Sequence, residues 1–319
     1  MVKKTIRHSK TIFGRYQQQL PMAGSIRSEG KEPSLRDLTR VNLTNLGREM
    51  YPVLRVTKQE VITYYIRMAP RILPFVHNRP LTMHRFPGGV GGEAFYEKDA
   101  PQGTPDYVDI FTRYSETSDR EVHFILCNNL DTLIWLANLA SLELHVTLSM
   151  AAAYDSPDLL LFDIDPEPPL SFDDTIDVAL IVHERLAEVG MQSYVKTSGK
   201  KGLHIVVPLK AGYHFEEIRT FAHNLGKKIA RDTPGVVSEF PHSQDPGTIF
   251  IDYLQNAHGK TMAAPYSLRA TDGATVSAPL PWEELKHGIH PEDFNIRTMI
   301  SGSKDPWRGI FDNRQTIGR

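Results

Sequence analysis

Two aspartates within one short apolar segment are the first residues whose types and spacing indicate chemistry. The segment LLLFDIDP, residues 159–166, predicts a strand that carries Asp163 and Asp165. Residues two apart on a strand point to the same face, so the two carboxylates lie side by side. Like charges this close repel each other and are costly to desolvate, and a divalent cation is the usual compensation. Two solvent-facing aspartates, or one that caps the next segment, are the alternative interpretation.

A third aspartate interrupts another apolar segment in the same way. Asp252 lies in TIFIDYL, residues 248–254. Three carboxylates on one sheet face suit two metal ions, one that activates an attacking oxygen and one that steadies a leaving group. Hard oxygen ligands favour magnesium, manganese or calcium. The sequence therefore predicts phosphoryl or nucleotidyl transfer. A two-metal nuclease would use the same carboxylates, but it would not need the loop described next.

The segment TSGKKGLH, residues 197–204, supplies groups that suit a triphosphate. Ser198 offers a hydroxyl, Lys200 and Lys201 offer cations, and His204 stands at the start of the next strand. Small residues, lysines and backbone N–H groups are what phosphates bind in proteins. The Gly-x-x-x-x-Gly-Lys-Ser/Thr spacing of a P-loop is absent. A tight hairpin turn with two solvated lysines is the alternative.

The polar segment that follows the third aspartate is rich in hydrogen-bond donors. Within residues 251–270 these are Gln255, Asn256, Lys260, Thr261, Ser267 and Arg269. Their density fits phosphate contacts, and an ordinary polar loop is the alternative.

Composition limits the class of protein. The chain has 319 residues, with 36 Lys and Arg against 38 Asp and Glu, so any basic surface for nucleic acid must be local. The single cysteine, Cys127, excludes a disulfide framework and a cysteine-based zinc site, and it fits a reducing cytoplasm. No apolar run reaches the ~18 residues of a membrane span. We therefore expect a globular cytoplasmic protein without zinc.

The predicted elements around the aspartates form a ferredoxin-like unit. After the strand of residues 159–165, a helix over 171–190 opens with a capping box of Ser171 and Asp174. Two strands, a second helix and the strand of Asp252 follow. The order β-α-β-β-α-β is that of the split βαβ motif, whose first and last strands can lie close enough to share a site.

Two helices are predicted upstream of this unit. Residues 57–77 begin with a capping box of Thr57 and Glu60, and Pro70 is expected to break the helix. Residues 129–145 predict a mostly buried helix that His145 closes.

A Gly- and Pro-rich region lies between these two helices. It predicts a loop that presents Phe95 and Tyr96 beside Lys98. Core packing and base stacking are the two alternatives for this aromatic pair. Residues 1–38 form a polar arm with scattered basic residues, either an unstructured leader or an arm that touches phosphates.

Several stretches, taken together, resemble the archaeo-eukaryotic primase superfamily, most closely the polymerase domain of the ligase D group of non-homologous end joining. The resemblance covers roughly residues 41–310. Its motifs, in chain order, are NLTNLGREMYP, RPLTMHRFPGGV, FYEKDAPQGTPDYV, SLELHV, LFDIDP, TSGKKGLHIVVPL and IDYLQNAHGKTMAAPYSLRA.

The resemblance implies an α+β primase-polymerase fold. In it, a ferredoxin-like catalytic sheet of the RNA-recognition-motif type carries the acidic triad and packs against an N-terminal α/β module. The implied organisation is the arm at residues 1–38, then one catalytic domain at 39–319. That domain divides into an N-terminal module at 39–150 and a catalytic module at 151–319.

The implied activity is template-dependent nucleotide addition that fills short gaps at DNA double-strand breaks, with manganese or magnesium and a tendency to favour ribonucleotides. The implied partners are DNA with a gap or 3′ overhang and a 5′-phosphate, nucleoside triphosphates, a Ku-like protein and a separate DNA ligase. The implied location is the cytoplasm, at the nucleoid.

The resemblance also assigns residue roles. Two metal ions would be held by Asp163, Asp165 and Asp252. The nucleotide would be bound by Ser198, Lys201, His204, His145, Arg85, Gln255, Lys260 and Arg269. The DNA would be bound by Arg48 and Lys58 at the 5′-phosphate, and by Phe95, Tyr96 and Lys98 at the template.

The sequence departs from the family pattern at three places. Arg48 stands where lysine is usual, and Met83 and His84 stand where a Lys/Arg pair is common. Asp245 and Pro246 precede the strand of the third aspartate, where basic residues are common, which puts in doubt a cationic loop there. The chain has no room for fused ligase or nuclease domains, so a stand-alone protein is expected. A de novo primase and a non-catalytic protein that binds DNA ends are the rival interpretations.

Overall fold

A computed structural model describes residues 40–115, 119–239, 246–302 and 304–317. The basic arm predicted at residues 1–38 lies outside these ranges. Within them, no helix is both long and apolar enough to cross a membrane.

The first half of the described chain is a small α/β unit. In chain order its elements are β1 Glu49–Tyr51, β2 Val56–Thr57, α1 Lys58–Val76, β3 Leu81–Arg85, β4 Phe95–Glu97, β5 Asp109–Ser115, β6 Arg120–Leu126, α2 Leu130–Asn138 and β7 Ser141–Thr147. Strands β1 and β2 pair with each other, β5 and β6 form a hairpin, and β7, β3 and β4 are neighbours in a larger sheet.

The second half contains the predicted ferredoxin-like unit and a C-terminal segment. In chain order its elements are β8 Leu159–Pro166, α3 Phe172–Glu188, β9 Tyr194–Thr197, β10 Leu203–Pro208, α4 Phe215–Asp232, β11 Val236–Val237, β12 Ile249–Asp252, β13 Thr261–Ala263, β14 Pro279–Leu280 and α5 Ile296–Ser301.

The split βαβ prediction is confirmed. The six-stranded sheet has the order β11-β12-β8-β10-β9-β14, and its four central strands are antiparallel neighbours. Phe162 and Ile164 of β8 belong to the same hydrophobic core as Ile176 of α3 and Ile218 of α4. Leu161 of β8 belongs to the core of the first half. The acid-bearing face of β8 is therefore turned away from the two helices.

Strand β13 joins the two halves of the chain. It pairs antiparallel with β7, with Ala263 opposite His145, so the four-stranded sheet has the order β13-β7-β3-β4. The segment that leaves the ferredoxin-like unit thus completes the sheet of the first half.

The expectation that Pro70 breaks the first helix is wrong. Helix α1 opens with the predicted capping box, in which Glu60 N–H donates to Thr57 Oγ1 and Thr57 N–H donates to the Glu60 carboxylate. It then continues through Pro70 and Pro74 to Val76. A proline removes one helical hydrogen bond. Most of α1 is buried in the core, and this packing offsets the loss.

The helix predicted over 129–145 is also wrong in its second half. Helix α2 ends at Asn138, and the chain reverses at Ala140, whose φ is 61°. Strand β7 then carries His145. Both faces of β7 are almost entirely buried, so its alternation of polar and apolar residues does not follow exposure, and the run resembles a buried helix.

Candidate active site

The acidic triad is brought together by strand register. Asp252 on β12 lies directly opposite Asp163 on β8, and Asp165 is two residues further along β8. Alternation along β8 puts Asp163 and Asp165 on one face, as predicted. Two adjacent antiparallel strands thus present three carboxylates at one place.

The protein itself supplies too little positive charge to balance the three carboxylates of the triad. Burial, followed by the charges of Asp163 and Asp252, raises the pKa of Asp165 to about 7, although Lys201 opposes this. Burial also raises the pKa of Asp252. Carboxylates held this close favour a bound divalent cation, and their oxygens are the hard ligands that magnesium and manganese prefer. The residues therefore fit a metal site.

Asp163 differs from the other two because its neighbours outweigh burial and lower its pKa. Burial alone would raise its pKa, but His204, Lys196 and Arg269 hold the pKa below the usual value. His204 Nε2 lies 3.3 Å from Asp163 Oδ1, and Lys196 Nζ lies 2.8 Å from His204 Nδ1. Burial and the charge of Lys196 lower the pKa of His204 to about 4, so the imidazole is neutral at pH 7.

The 197–204 loop is both a hairpin and a cationic loop. Strands β9 and β10 pair across it, and the Ser198 hydroxyl accepts hydrogen bonds from the N–H groups of Lys200 and Gly202. Lys201 Nζ lies 4.0 Å from Asp165 Oδ2 and 3.5 Å from Glu167 Oε1. The turn thus carries a lysine to the edge of the acidic triad.

Close approach to β8 requires glycine in this loop. A Cβ on Gly202 would lie 2.2 Å from the Ile164 carbonyl oxygen and 2.6 Å from Asp165 Oδ1. Gly199 has φ +74°, and a Cβ there would meet the Arg269 side chain. The loop is therefore packed tightly against both the acidic strand and Arg269.

A cavity of about 210 Å³ opens next to the triad. Eight of the predicted site residues line it: Asp163, Asp165, Ser198, Lys201, His204, Gln255, His145 and Arg269. Residues from β7, β8, β10 and three loops thus meet in one space. They include His145, which lies on β7 and not at the end of a helix.

Three of the residues predicted to bind the metal ions or the nucleotide do not line this cavity: Asp252, Lys260 and Arg85. Asp252 accepts a hydrogen bond from Gln255 Nε2 at 3.0 Å, and the charge of Lys260 lowers its pKa against the effect of burial. Asp252 and Lys260 are therefore adjacent to the cavity, although neither lines it. Arg85 also does not line the cavity, and its guanidinium donates to Glu97 and to the Leu139 carbonyl oxygen.

The polar segment after β12 is fastened to the acidic strand. The buried side chain of Asn256 accepts from the N–H of Leu161 at 2.9 Å and donates to the Leu161 carbonyl oxygen at 2.6 Å. A side-chain amide can replace a backbone neighbour in this way because it carries one donor and one acceptor. The segment therefore continues the pairing of β8 beyond the end of β12.

Sequence reasoning missed two buried residues of this region. Lys196 on β9 contacts His204 and Ser277, and burial lowers its pKa. Glu143 on β7 is fully buried. Each is a charged residue within an apolar strand, which is the signal that identified the aspartates. For Glu143 this signal was missed because residues 129–145 were interpreted as a helix, whereas Glu143 lies on strand β7.

Glu143 is the centre of a charged cluster beside the cavity. Burial raises its pKa, but the hydrogen bond to His145, the nearby His84 and the charge of Arg269 lower the pKa far more. The ligand atoms of His84, Glu143 and His145 all lie within 4.8 Å of one another. Such a group can hold a metal ion, although two further cations already neutralise its single carboxylate.

The aromatic pair lies on a strand and not on the predicted loop. Phe95 and Tyr96 are in β4, where they are 39% and 60% exposed. The ring of Tyr96 stacks on His84, with centroids 3.9 Å apart and planes 11° from parallel. Phe95 lies under the guanidinium of Arg85. Pairing with β3 fixes the backbone of β4 and so the positions of both residues. Because β4 is an edge strand, it exposes the two rings without a glycine-rich loop.

A wider groove, of about 880 Å³, begins at Tyr96. It runs between β4, the β5–β6 hairpin and the loop of His258, and Lys98 lies on its wall. Aromatic rings and both signs of charge line it, including Tyr114, Phe124, Tyr154, Arg113, Arg120, Asp99 and Asp155.

The predicted basic pair is adjacent in space. Lys58 N–H donates to the Arg48 carbonyl oxygen at 2.8 Å. The Lys58 ammonium donates to Thr44, and the Arg48 guanidinium donates to Pro87 O. Burial, followed by the charge of Arg48, lowers the pKa of Lys58 to about 8. The departure at Asp245 lies outside the described residues, so its effect stays a prediction.

Comparisons with known proteins agree with this geometry. Residues 57–307 match the family model of the LigD primase-polymerase domain. The bifunctional non-homologous end joining protein LigD of Bacillus subtilis is 31% identical over 275 residues, which is 86% of this chain and 44% of that protein. The multifunctional LigD of Mycolicibacterium smegmatis is 33% identical over 251 residues, 77% of this chain and 32% of that protein.

A solved structure has the same fold. The polymerase domain of Mycobacterium tuberculosis ligase D, in complex with DNA, superposes with a TM-score of 0.79 at 28% identity, covering 86% of this chain and 99% of that one. The chain spans less than half the length of the two curated relatives, whereas it spans nearly all of this isolated domain. It therefore belongs to the LigD primase-polymerase domain family of nucleotidyltransferases.

Proposed function

We propose that this protein is a template-dependent polymerase that fills short gaps at DNA double-strand breaks during non-homologous end joining. The observation that carries the proposal is the pairing of Asp163 with Asp252 beside a cavity that also holds Lys201, His204 and Arg269. A 3′-hydroxyl would attack the α-phosphate of a nucleoside triphosphate, forming the new phosphodiester bond and releasing pyrophosphate.

Polymerase domains of this family act with divalent metal ions. Asp163, Asp165 and Asp252 would hold two magnesium or manganese ions, because their oxygens form a hard donor set with too little cationic compensation. When bound, the ions supply charge stabilisation to the attacking and leaving oxygens.

The chain's own residues would bind and orient the triphosphate. Lys201 and Arg269 bring positive charge to the cavity, and Arg269 is held in place by donation to the Ser198 carbonyl oxygen. His204 receives a hydrogen bond on Nδ1 from Lys196, so its Nε2–H points toward the acidic strand. His145 and Gln255 also line the cavity. Lys260 and Arg85, which lie outside the lining, would act at longer range.

The DNA would be held by charge and by stacking. Arg48 and Lys58 would grip the 5′-phosphate on the downstream side of a gap. Phe95 and Tyr96 offer exposed rings for template bases, with Lys98 beside them. Because such binding rests on phosphate contacts, we expect it to weaken steeply as salt rises.

The names of the relatives extend the proposal to a pathway. The Bacillus subtilis and Mycolicibacterium smegmatis relatives are described as non-homologous end joining proteins. We propose that this chain acts there with a Ku-like protein and a separate ligase, in the cytoplasm at the nucleoid. A preference for ribonucleotides belongs to the same proposal.

Primer extension on a gapped duplex tests the proposal. The substrate has a short gap and a 5′-phosphate, with manganese and either ribonucleotides or deoxyribonucleotides. We expect templated addition that stops at the end of the gap, and none from the Asp163→Ala, Asp165→Ala double variant. Products from an unprimed single strand alone would indicate a primase. A double variant that extends normally would exclude this active site.

A further inference from the structure

Glu143 is a fully buried charge that the proposed reaction does not use directly. It lies two residues before His145 on β7, and its carboxylate accepts from His145 Nε2 at 2.9 Å. Burying a carboxylate is costly unless several partners compensate. The identity of those partners therefore indicates what Glu143 does.

Three of its partners belong to the nucleotide side of the site. Arg269 Nε lies 3.3 Å from Glu143 Oε2, and Lys200 Nζ lies 3.3 Å from Oε1. The N–H of Ala270 donates to Oε1 at 2.9 Å. Arg269, Lys200 and His145 all line the cavity. One carboxylate thus holds three cavity side chains that come from separate segments of the chain.

The fourth side-chain partner belongs to the aromatic face. His84 Nδ1 lies 3.3 Å from Glu143 Oε2, and the His84 ring stacks on Tyr96. Tyr96 also meets His145 edge-on, with centroids 5.7 Å apart. Two histidines that contact the same carboxylate therefore support the exposed ring of Tyr96.

A metal ion is the weaker explanation of this cluster. Two histidines and one carboxylate have suitable spacing. However, Lys200 and Arg269 place two positive charges within 3.3 Å of that carboxylate. A divalent cation would be repelled by both, and it would have to displace contacts that already satisfy the charge.

We propose that Glu143 is a positioning residue that couples the nucleotide cavity to the aromatic face that meets the template. It sets the orientation of His145 and Arg269 in the cavity and, through His84, the orientation of the Tyr96 ring. The proposal rests on the polymerase function proposed above. Its consequence is that nucleotide affinity and the choice of the templated base depend on one side chain that touches neither.

Glu143→Gln tests the coupling, because glutamine keeps the shape and removes the charge. The first readout is the equilibrium affinity of the protein for a ribonucleoside triphosphate, on a gapped duplex whose primer ends in a dideoxynucleotide. Loss of the hydrogen bond from His145 and of the ion pairs with Arg269 and Lys200 predicts affinity weaker by about tenfold or more. The second readout is kcat/KM for matched against mismatched nucleotides, whose ratio we expect to fall about tenfold as well.

Asp158→Asn is the matched control. Asp158 is also a buried carboxylate in an arginine pair, but it does not line the cavity. This variant should lower the unfolding temperature and leave both readouts unchanged. A folded Glu143→Gln protein with wild-type affinity and discrimination would overturn the proposal, as would equal losses in Asp158→Asn. A wild-type protein that binds triphosphate but never extends a primer would instead overturn the polymerase function.

His84 provides a second test that does not require a substitution at Glu143. His84→Phe keeps a flat ring next to Tyr96 but loses the contact with Glu143, whereas His84→Ala loses both. We expect both variants to lose discrimination about fivefold or more while nucleotide affinity stays within about twofold. Wild-type discrimination in His84→Phe would show that stacking alone matters, and it would overturn the coupling.

Discussion

Asp165 has the least compensated charge of the acidic triad. Its pKa is raised to about 7, whereas the pKa of Asp163, two residues away on the same strand, is lowered. The difference arises because His204 and Lys196 lie beside Asp163, whereas Asp165 has only the partly exposed Lys201. Position along one strand therefore decides which carboxylate most requires a metal ion.

As pH rises from 5 to 8, the metal-free wild type should lose stability relative to the Asp165→Asn variant. The pKa of Asp165 is higher in the folded protein than in the unfolded chain. Its contribution to stability is therefore present below pH ~4 and is lost as pH rises toward 7. Asp165→Asn should remove this loss, which is about 2–4 kcal/mol, and abolish primer extension. Thermal unfolding of both proteins in the presence of a chelator, from pH 5 to 8, measures the loss of stability.

Manganese provides the control for this prediction. Added manganese should raise the unfolding temperature of the wild type at pH 8, and it should raise that of Asp165→Asn much less. Glu188→Gln, an exposed substitution on α3, should behave as the wild type. A stability difference between the wild type and Asp165→Asn that stays constant from pH 5 to 8 in chelator would contradict this account of the site.

Recognition of a 5′-phosphate should depend on pH through Lys58. Only the protonated lysine attracts the phosphate, so the preference for a phosphorylated gap should fall as pH rises above about 8. Lys58→Arg should remove the pH dependence, because arginine stays charged. Arg48→Ala should move the midpoint upward, since the charge of Arg48 lowers this pKa. Fluorescence anisotropy with phosphorylated and unphosphorylated gaps measures the effect.

The control for Lys58 is a variant outside the basic pair. Arg185→Met, on the exposed face of α3, should leave both the preference and its pH dependence unchanged. Equal binding of the two gaps by the wild type at pH 7 would contradict the assignment of Arg48 and Lys58 to the phosphate.

At the scale of elements, the hairpin between β9 and β10 and the strand β8 act as one unit. The hairpin approaches β8 so closely that Gly202 has no room for a side chain. Lys201 and His204 of this hairpin therefore keep a fixed distance from Asp163 and Asp165 of β8.

Gly202→Ala should separate these two elements. The new methyl group would overlap the Ile164 carbonyl oxygen and Asp165 Oδ1. We expect a loss of about 1–3 kcal/mol in stability, as for other overpacked sites. Primer extension should slow about tenfold or more, because small misplacement of reacting groups is costly. Gly302→Ala is the control, because its new methyl group would lie 3.7 Å from the nearest atom. A folded Gly202→Ala protein that extends primers at the wild-type rate would contradict the tight packing.

The sequence predicted elements best where exposure and periodicity coincide. Helices α3 and α4 each have one buried and one exposed face, and their order with the strands was predicted correctly. Strand β7 is buried on both faces, so its period was not evident and His145 was assigned to a helix. Helix α1 continued through two prolines because tertiary packing, which no local pattern reports, outweighed the lost hydrogen bonds.

Among the candidate site residues, the sequence identified those that interrupt apolar strands. Asp163, Asp165 and Asp252 were found in this way, and strand register then brought them together. Glu143 makes its contacts through segments up to 127 residues apart, and no local spacing encodes them. Long-range register was therefore the missing information.

At the scale of the whole molecule, one buried ion pair ties distant parts of the chain. Arg79 follows α1, Asp158 precedes β8, and the two form a bidentate pair at 2.7 and 2.8 Å. Arg314, near the end of the described chain, donates to the same carboxylate at 3.0 Å. The two halves and the C-terminal segment thus share one charge cluster.

Arg79→Met should destabilise the whole protein by about 3–5 kcal/mol, because it leaves Asp158 buried with only Arg314. Arg40→Met removes an exposed pair with Asp131 and should cost less than about 1 kcal/mol. Urea unfolding measures both. At temperatures well below unfolding, both variants should extend primers at the wild-type rate. Similar unfolding midpoints for the two would contradict the role of burial.

The position of β8 has a consequence for how the protein loses activity. β8 is central in its sheet, bonded to β10 on one side and to β12 and Asn256 on the other. Amide hydrogens in such a strand exchange with solvent only when the molecule opens globally. Asp163 and Asp165 therefore belong to the slowest-exchanging part of the molecule. Heat or denaturant should abolish catalysis and cooperative structure together, without a folded but inactive intermediate.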